Sequence, residues 1–530
     1  MSTLTGTGGL IRLILRRDRV RLPVWYGLVT LLVLGVAGSV AGAYPTEEAR
    51  QAFLHTTNGD PTQLMMIGPI YDSSSAGLAA WRVRGQAALL ISLASLFLVI
   101  RSTRGEEEAG RSELLGSTVV GRHAALTAAL IVAFAANLVT ALVIALGLTG
   151  QGLPAGGSLV MGLSVGAAGC VFAALAGLAA QLTESSRTAA GITATAMSIL
   201  YALRAIADLE QSPGVAWLSP FGWTQHMRPF AGDHYWPLLP VLGLLVVLVA
   251  AAYRMSARRD LAAGILPPRL GPADAAPGLR TSFALAWRLQ RGTLLAWALA
   301  FTAFGAGLGG AALSAAQQLN ASEALQGMID RLGSDGRPVD GFFAFVIYLT
   351  SQVITIYAIQ AVLRLHTEED SSRADAILTG PVGRLRWAGG HLAIVAAGSA
   401  IVLAGLGLGM GLVYGLSTGD PGGEIARMLG ASLTRLPSVL VLAAVAVLLY
   451  GLLPRIAAVG TYTVLGLCFL LEFAVELLHA NPSLLNVSPY AQTPGLPVAE
   501  FTTTPLVVLL VVAAALTAAG MTALRRRDLG

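Results

Sequence analysis

The sequence contains no lysine; all 34 of its basic residues are arginine. That absence excludes one site outright. A phosphate-binding P-loop, G-x-x-x-x-G-K-[ST], needs its lysine on the β/γ-phosphates of a nucleotide. No such loop can be built here, so if ATP drives this protein another chain binds it. Charge is scarce as well, at 12% of residues against roughly 25% in soluble domains. The two cysteines, Cys170 and Cys468, both sit in apolar runs and read as packing residues rather than a disulfide or metal site. Seven histidines are scattered without metal-ligand spacing, and no serine–histidine–acid arrangement can be assembled. The expectation is a chain with no catalytic residue, no metal, no cofactor of its own and no nucleic-acid partner.

Apolar residues are abundant instead, at 55% of the chain. Runs of about 20 of them recur along its whole length, each enough to cross a bilayer. The spacing predicts an all-α polytopic membrane protein of about twelve spans, near 23–43, 78–100, 124–149, 158–182, 188–209, 236–253, 293–315, 342–363, 387–416, 432–453, 456–479 and 505–524. Before the first span, residues 8–21 interleave Leu10, Ile11, Ile14 and Leu15 with five arginines, a pattern suited to a membrane surface. A similar amphipathic piece with Arg288 and Arg291 precedes the seventh span. Four prolines between 260 and 280 break the pattern and mark a linker. The predicted organisation is a six-span half over 1–262, a linker over 263–280 and a second six-span half over 281–530.

The halves repeat in detail. The loop after the second span reads EEEAGRSELLGSTVVGR, and the loop after the eighth reads EEDSSRADAILTGPVGR. An offset of 262 superposes Glu368, Glu369, Asp370, Arg373, Asp375 and Ile377 on Glu106, Glu107, Glu108, Arg111, Glu113 and Leu115, and Gly383-Arg384 on Gly121-Arg122. Read as a helix, each loop carries an i,i+4 acid-before-base pair, Glu107 with Arg111 and Glu369 with Arg373. Each also has an apolar end, Leu114 and Leu115 in one and Ile377 and Leu378 in the other. Ser488-Pro489-Tyr490 repeats Ser219-Pro220-Phe221 at 269, and Arg526-Arg527-Asp528-Leu529 repeats Arg258-Arg259-Asp260-Leu261 at 268. Six spans per half is an even number, so both halves enter from one side as parallel repeats. The arginine-rich segments then share one side, which reads as cytoplasmic together with both termini. Arg82 and Arg84 fall near the other end of the second span, where they are expected to snorkel to headgroups.

This arrangement resembles the ABC-2 type exporter permeases. The two loops and the fused double length are similar, more narrowly, to bacterial permeases regarded as exporters of polyketide antibiotics. The resemblance implies that Glu106–Leu115 and Glu368–Leu378 are coupling helices docking onto ATPase subunits. It further implies two copies of a partner ATPase that binds ATP and magnesium, a hydrophobic or amphiphilic drug-like cargo, and the bacterial cytoplasmic membrane as location. Ser371, Ser372 and Ala376 depart from Ala109, Gly110 and Leu114, which makes the second docking site the less regular one.

Ionisable residues inside spans are functional candidates. Arg204 and Asp208 form an i,i+4 pair in the fifth span, and Glu472 and Glu476 another in the eleventh. At an offset of 269 they share one depth, which allows a polar lining of the path, an ion pair between Arg204 and a glutamate, or a pair within the fifth span. A secondary transporter of 6+6 spans with Glu472 or Glu476 as proton carrier is the alternative reading. It has no need of the duplicated acidic loop.

Overall fold

The computed structural model describes residues 3–43, 46–59, 61–110, 120–260, 263–266, 274, 276–279, 281–319, 338–477, 485 and 487–527. Among these all regular structure is helical, and twelve helices are long and apolar enough to cross a membrane. The chain is an all-α polytopic membrane protein. It divides into two compact units, Met1–Gly271 and Pro272–Gly530.

In the first unit the spans are Arg21–Ala43, Ser75–Ser102, Ala124–Gly150, Ala155–Leu182, Ser186–Leu209 and Leu238–Arg258. The core lies where the second, third and fourth meet, with Ile91, Leu96, Ala128, Ile144, Val165 and Ala173 among its buried side chains. The surface helix Thr7–Arg17 is separate from the first span and buries Ile14. Pro23 explains the separation. A proline is tolerated in the first turn of a helix, where its missing N–H costs nothing, but not further in.

In the second unit the spans are Ser282–Leu319, Pro338–Asp370, Arg384–Thr418, a pair of helices Pro421–Leu433 and Leu436–Leu452, then Ala457–Leu477 and Thr504–Arg526. The amphipathic lead and the seventh span, expected as two pieces, form one helix of 38 residues. Trp297 occupies the place of Trp25 at an offset of 272, which puts Leu295 where the first unit has Pro23, and a leucine N–H lets the helix run on. The fourth position shows the reverse. Its counterpart in the first unit, Ala155–Leu182, is unbroken, whereas Pro437 ends the ladder between the two short helices of the second.

Gly305 and Gly309 of the seventh span interlock with the ninth. A Cβ on them would stand 2.3 Å from the Leu406 carbonyl oxygen and 2.5 Å from that of Met410. Only glycine admits this approach of two backbones, the usual device for packing helices in lipid. The repeated Ser-Pro-aromatic motif buries its ring in both units, Phe221 stacked on Phe172 at 5.0 Å and Tyr490 bonded to Thr355 at 2.7 Å.

Candidate functional site

The three glutamates after the second span grip three different elements. Glu106 takes Arg17 from the surface helix, and Arg17 also donates to Ser102 Oγ at 3.1 Å. Glu107 takes a two-pronged guanidinium from Arg259, just past the sixth span, at 2.6 and 2.8 Å. Glu108 Oε2 accepts the Ser186 N–H at 3.0 Å, at the first turn of the fifth span, where a carboxylate also meets the positive end of the helix dipole. Arg104, wholly buried, adds a bond to Glu107 at 2.6 Å and another to the Ala263 carbonyl at 2.8 Å. Arg259 Nε donates to Gln181 Oε1 at 2.7 Å, at the end of the fourth span. Arg122, before the third span, donates to the Arg259 carbonyl at 3.1 Å. Beside it His123 is held below the ordinary histidine value, by burial first and by the Arg122 charge second.

The second unit repeats the central part of this knot. Arg527 Nη2 bonds Glu369 at 2.6 and 2.5 Å. Arg384 donates to the Arg527 carbonyl at 2.5 Å. The partners match by the offsets of the repeat, since 369 − 107 = 262, 384 − 122 = 262 and 527 − 259 = 268. Tyr450 stands where Gln181 does, as 450 − 181 = 269; its hydroxyl donates to Glu369 at 2.6 Å and its carbonyl accepts from Arg527 at 3.1 Å. The Arg527 guanidinium also lies over the Tyr450 ring at 5.0 Å. Each unit thus ties the loop, the start of its third span and the ends of its fourth and sixth spans to one arginine.

The expected i,i+4 pairing of Glu369 with Arg373 is corrected. Arg373 bonds Glu368 at 2.8 Å, and Arg364 bonds the same carboxylate at 2.8 Å. The cause is a left-handed residue, Ser372 at φ 54, which breaks the helix between Asp370 and Arg373 and removes the i,i+4 geometry. Gly110, at φ 70, holds the same place in the first loop. Arg111, Glu113, Leu114 and Leu115 lie outside the described residues. In the second loop, Ile377 and Leu378 pack half-buried against Leu365, Ala374 and Trp387, while Arg373, Asp375 and Ala376 stay exposed. Asp370 meets His366 at 3.2 Å.

At the other end of the first unit, Arg204 finds its ion-pair partner within its own helix, Asp208 at 3.2 Å, and donates to the Met65 carbonyl at 3.2 Å. Of the three arrangements open to it, this is the pair within the fifth span. Glu472 and Glu476 fall in the last turns of Ala457–Leu477, and their side chains lie outside the described residues. Arg82 is exposed as expected, but Arg84 is only 4% exposed, so its snorkelling is corrected. Two positions along a helix turn a side chain some 200° away, so the two arginines cannot share a face.

Sequence reasoning passed over Arg259, Arg527, Gln181 and Tyr450 as site residues. The signal was present in the repeated Arg-Arg-Asp-Leu, whose second arginine bonds the loop glutamate in both units.

Comparison with known proteins points one way. The family described as "Multidrug efflux system permease Rv1217c, C-terminal domain" matches residues 279–525. The multidrug efflux system permease protein Rv1217c of Mycobacterium tuberculosis (strain ATCC 25618 / H37Rv) is 39% identical over 529 residues, covering 99% of this chain and 96% of its own.

Proposed function

Since the chain belongs to the multidrug efflux system permease family, we propose that it is the membrane-spanning subunit of an exporter for hydrophobic or amphiphilic drug-like compounds, driven by ATP hydrolysed on separate chains. The observation that carries this reading is the duplicated tie of Glu107 to Arg259 and of Glu369 to Arg527. A loop that merely connects two spans needs no such anchorage. A loop that receives a push from a partner does, because it must hand the displacement to the spans without slack. Here a movement of the loop passes through one guanidinium to the ends of the fourth and sixth spans. Two ties suit two ATPase subunits, one per loop, with ATP and magnesium held by those subunits.

The arginines concentrate at the loop end of the spans, with Arg17, Arg101, Arg104, Arg122 and Arg259 in contact with one another's partners. By the positive-inside tendency that end is cytoplasmic, and both termini with it. A cysteine placed at Ser112 should then be shielded from an impermeant thiol reagent applied to cells, and one at Asp60 should react.

The coupling test uses proteoliposomes holding the full chain with its co-expressed ATPase. A lipophilic fluorescent amine should be transported only with ATP and regardless of a protonophore, and the ATPase should co-purify with the permease. Transport without ATP that collapses on adding the protonophore would overturn the proposal in favour of ion coupling.

A further inference from the structure

Between the start of the first span and the end of the second lies a groove of about 230 Å³. Asp18, Arg21 and Arg101 line it together with the apolar side chains of Trp25, Phe97 and Leu98. Consecutive spans cross in opposite directions, so this lining falls in layers. Trp25 follows Arg21 by four residues and Phe97 precedes Arg101 by four, a step of about 6 Å along each helix. The arginines therefore form one layer at the mouth, and the two rings form the next layer down. Trp25 is 47% exposed and Phe97 56% exposed, and both belong to spans. Aromatic rings so placed at a span end meet lipid at the headgroup level, and arginines one turn further out reach the phosphates.

The charge at the mouth is unbalanced. The buried Asp18 carboxylate is divided between two arginines, with Arg101 Nη1 2.8 Å from Oδ1 and Arg17 Nη2 3.2 Å from Oδ2. Arg17 also holds Glu106, so ion pairs run from the groove to the loop. Arg101 keeps 38% of its side chain exposed. Arg21 is exposed and has no ion pair among the described residues. Two guanidinium groups thus share one carboxylate that is already drawn on from behind, and a net positive charge stands beside an apolar slot. The second unit does not repeat this. Offsets of 272 and 262 put Gln290, Thr293 and Leu363 opposite Asp18, Arg21 and Arg101. The counterpart of Phe97 is Ile359, which is buried. The loop ties recur in both units; a charged groove found in one needs a reason of its own.

We propose that this groove binds an anionic phospholipid of the leaflet at the arginine-rich end, with its phosphate against Arg21 and Arg101 and an acyl chain along Trp25 and Phe97. Charge complementarity and the lipid-exposed rings together commit the groove to that occupant. A zwitterionic lipid brings no net charge to match the arginines, and a neutral apolar compound leaves both unmatched. The proposal is independent of what powers transport.

The test uses the full chain in phosphatidylcholine bilayers, into which lipids brominated on an acyl chain are titrated; bromine quenches a tryptophan that it touches. Emission lost in Trp25→Phe defines the share of Trp25. Brominated phosphatidylglycerol should quench that share half-maximally at about a tenfold lower mole fraction than brominated phosphatidylcholine. Arg21→Gln should cut the preference several-fold, Arg21→Lys should keep most of it because an ammonium also serves a phosphate as a point charge, and Arg21→Gln with Arg101→Gln should erase it. Arg21 is exposed, so its variants test the site even where Arg101→Gln, by leaving the buried Asp18 with Arg17 alone, lowers expression. Equal quenching by the two lipids, or a preference that Arg21→Gln leaves unchanged, overturns the proposal. Quenching by brominated methyl stearate that matches phosphatidylglycerol also overturns it, by assigning the groove to neutral apolar cargo.

Discussion

Both units bind a loop glutamate with the arginine that follows their sixth span, but they surround the pair differently. In the first unit the carboxylate is shared by Arg259 and Arg104, and Arg259 leans on the Gln181 amide. In the second, one arginine and one tyrosine do the work of two arginines and an amide, Tyr450 serving as hydroxyl donor, carbonyl acceptor and aromatic face for Arg527. Exposure differs in step: 9% and 12% for the side chains of Arg259 and Glu107, 17% for both Arg527 and Glu369. What the two share is a guanidinium held against both carboxylate oxygens, through two nitrogens of Arg259 but Nη2 alone of Arg527, and the carbonyl bond from Arg122 or Arg384. Two unlike settings built round one contact accord with the proposal that the contact is the functional part and its setting is the part free to vary.

The comparison breaks most sharply in the first unit. Arg259→Gln leaves Glu107 nearly buried with only Arg104, and disruption of a pair so enclosed costs about 3 kcal/mol. We expect export to fall more than tenfold while the protein still inserts in the membrane. Arg259→Lys should rescue poorly, since an ammonium cannot bridge both carboxylate oxygens and the Gln181 amide at once. A double-mutant cycle with Glu107→Gln measures the pair directly, and strictly additive losses of stability would show that the two residues act separately.

The second unit should be more tolerant. Glu369→Gln keeps an acceptor for Tyr450 and sits in a wetter setting, so a loss of about 1–2 kcal/mol is expected. Tyr450→Phe deletes one hydrogen bond but leaves the ring and the carbonyl in place, for about 1 kcal/mol. The order Arg259→Gln, Glu369→Gln, Tyr450→Phe in thermal unfolding of the purified protein checks the comparison. Equal losses in the two units would remove the distinction drawn from their burial.

The spans were legible in the sequence because each is an apolar run of bilayer length, and the repeat was legible because acids, bases and glycines recur at nearly fixed offsets. The partners of the loop acids were not. Glu107 and Arg259 are 152 residues apart, and no periodicity within the loop points from one to the other. The local pair Glu369–Arg373 looked sufficient only on the assumption of an unbroken helix. Arg84 misled in a similar way: proximity to a span end suggested a headgroup contact, whereas the face of the helix that carries it turns inward. The separation of the surface helix from the first span, and the fusion of the second unit's amphipathic lead with the seventh, rested on one residue pair, Pro23 against Leu295, whose effect acts through a single backbone N–H.

The smallest expected effect tests the turn that both loops share. Gly110 and Ser372 occupy aligned positions, 372 − 110 = 262, and both are left-handed, at φ 70 and φ 54. For an L-residue this conformation costs roughly 1–2 kcal/mol, and for glycine almost nothing. Space plays no part at Gly110, where a Cβ would meet nothing within 4 Å. Gly110→Ala should therefore destabilise the first loop by about 1 kcal/mol through backbone conformation alone, while Ser372→Gly should relieve a similar strain in the second. The two substitutions exchange the characters of the loops and should shift thermal unfolding in opposite directions. If the turn instead positions the short helix Arg373–Leu378, with its exposed Arg373, Asp375 and Ala376, for a partner, Ser372→Gly should stabilise the protein and yet weaken co-purification of the proposed ATPase, because a glycine turn holds that helix less firmly. Opposite shifts in stability with unchanged co-purification would mean that the turn serves only to end the helix.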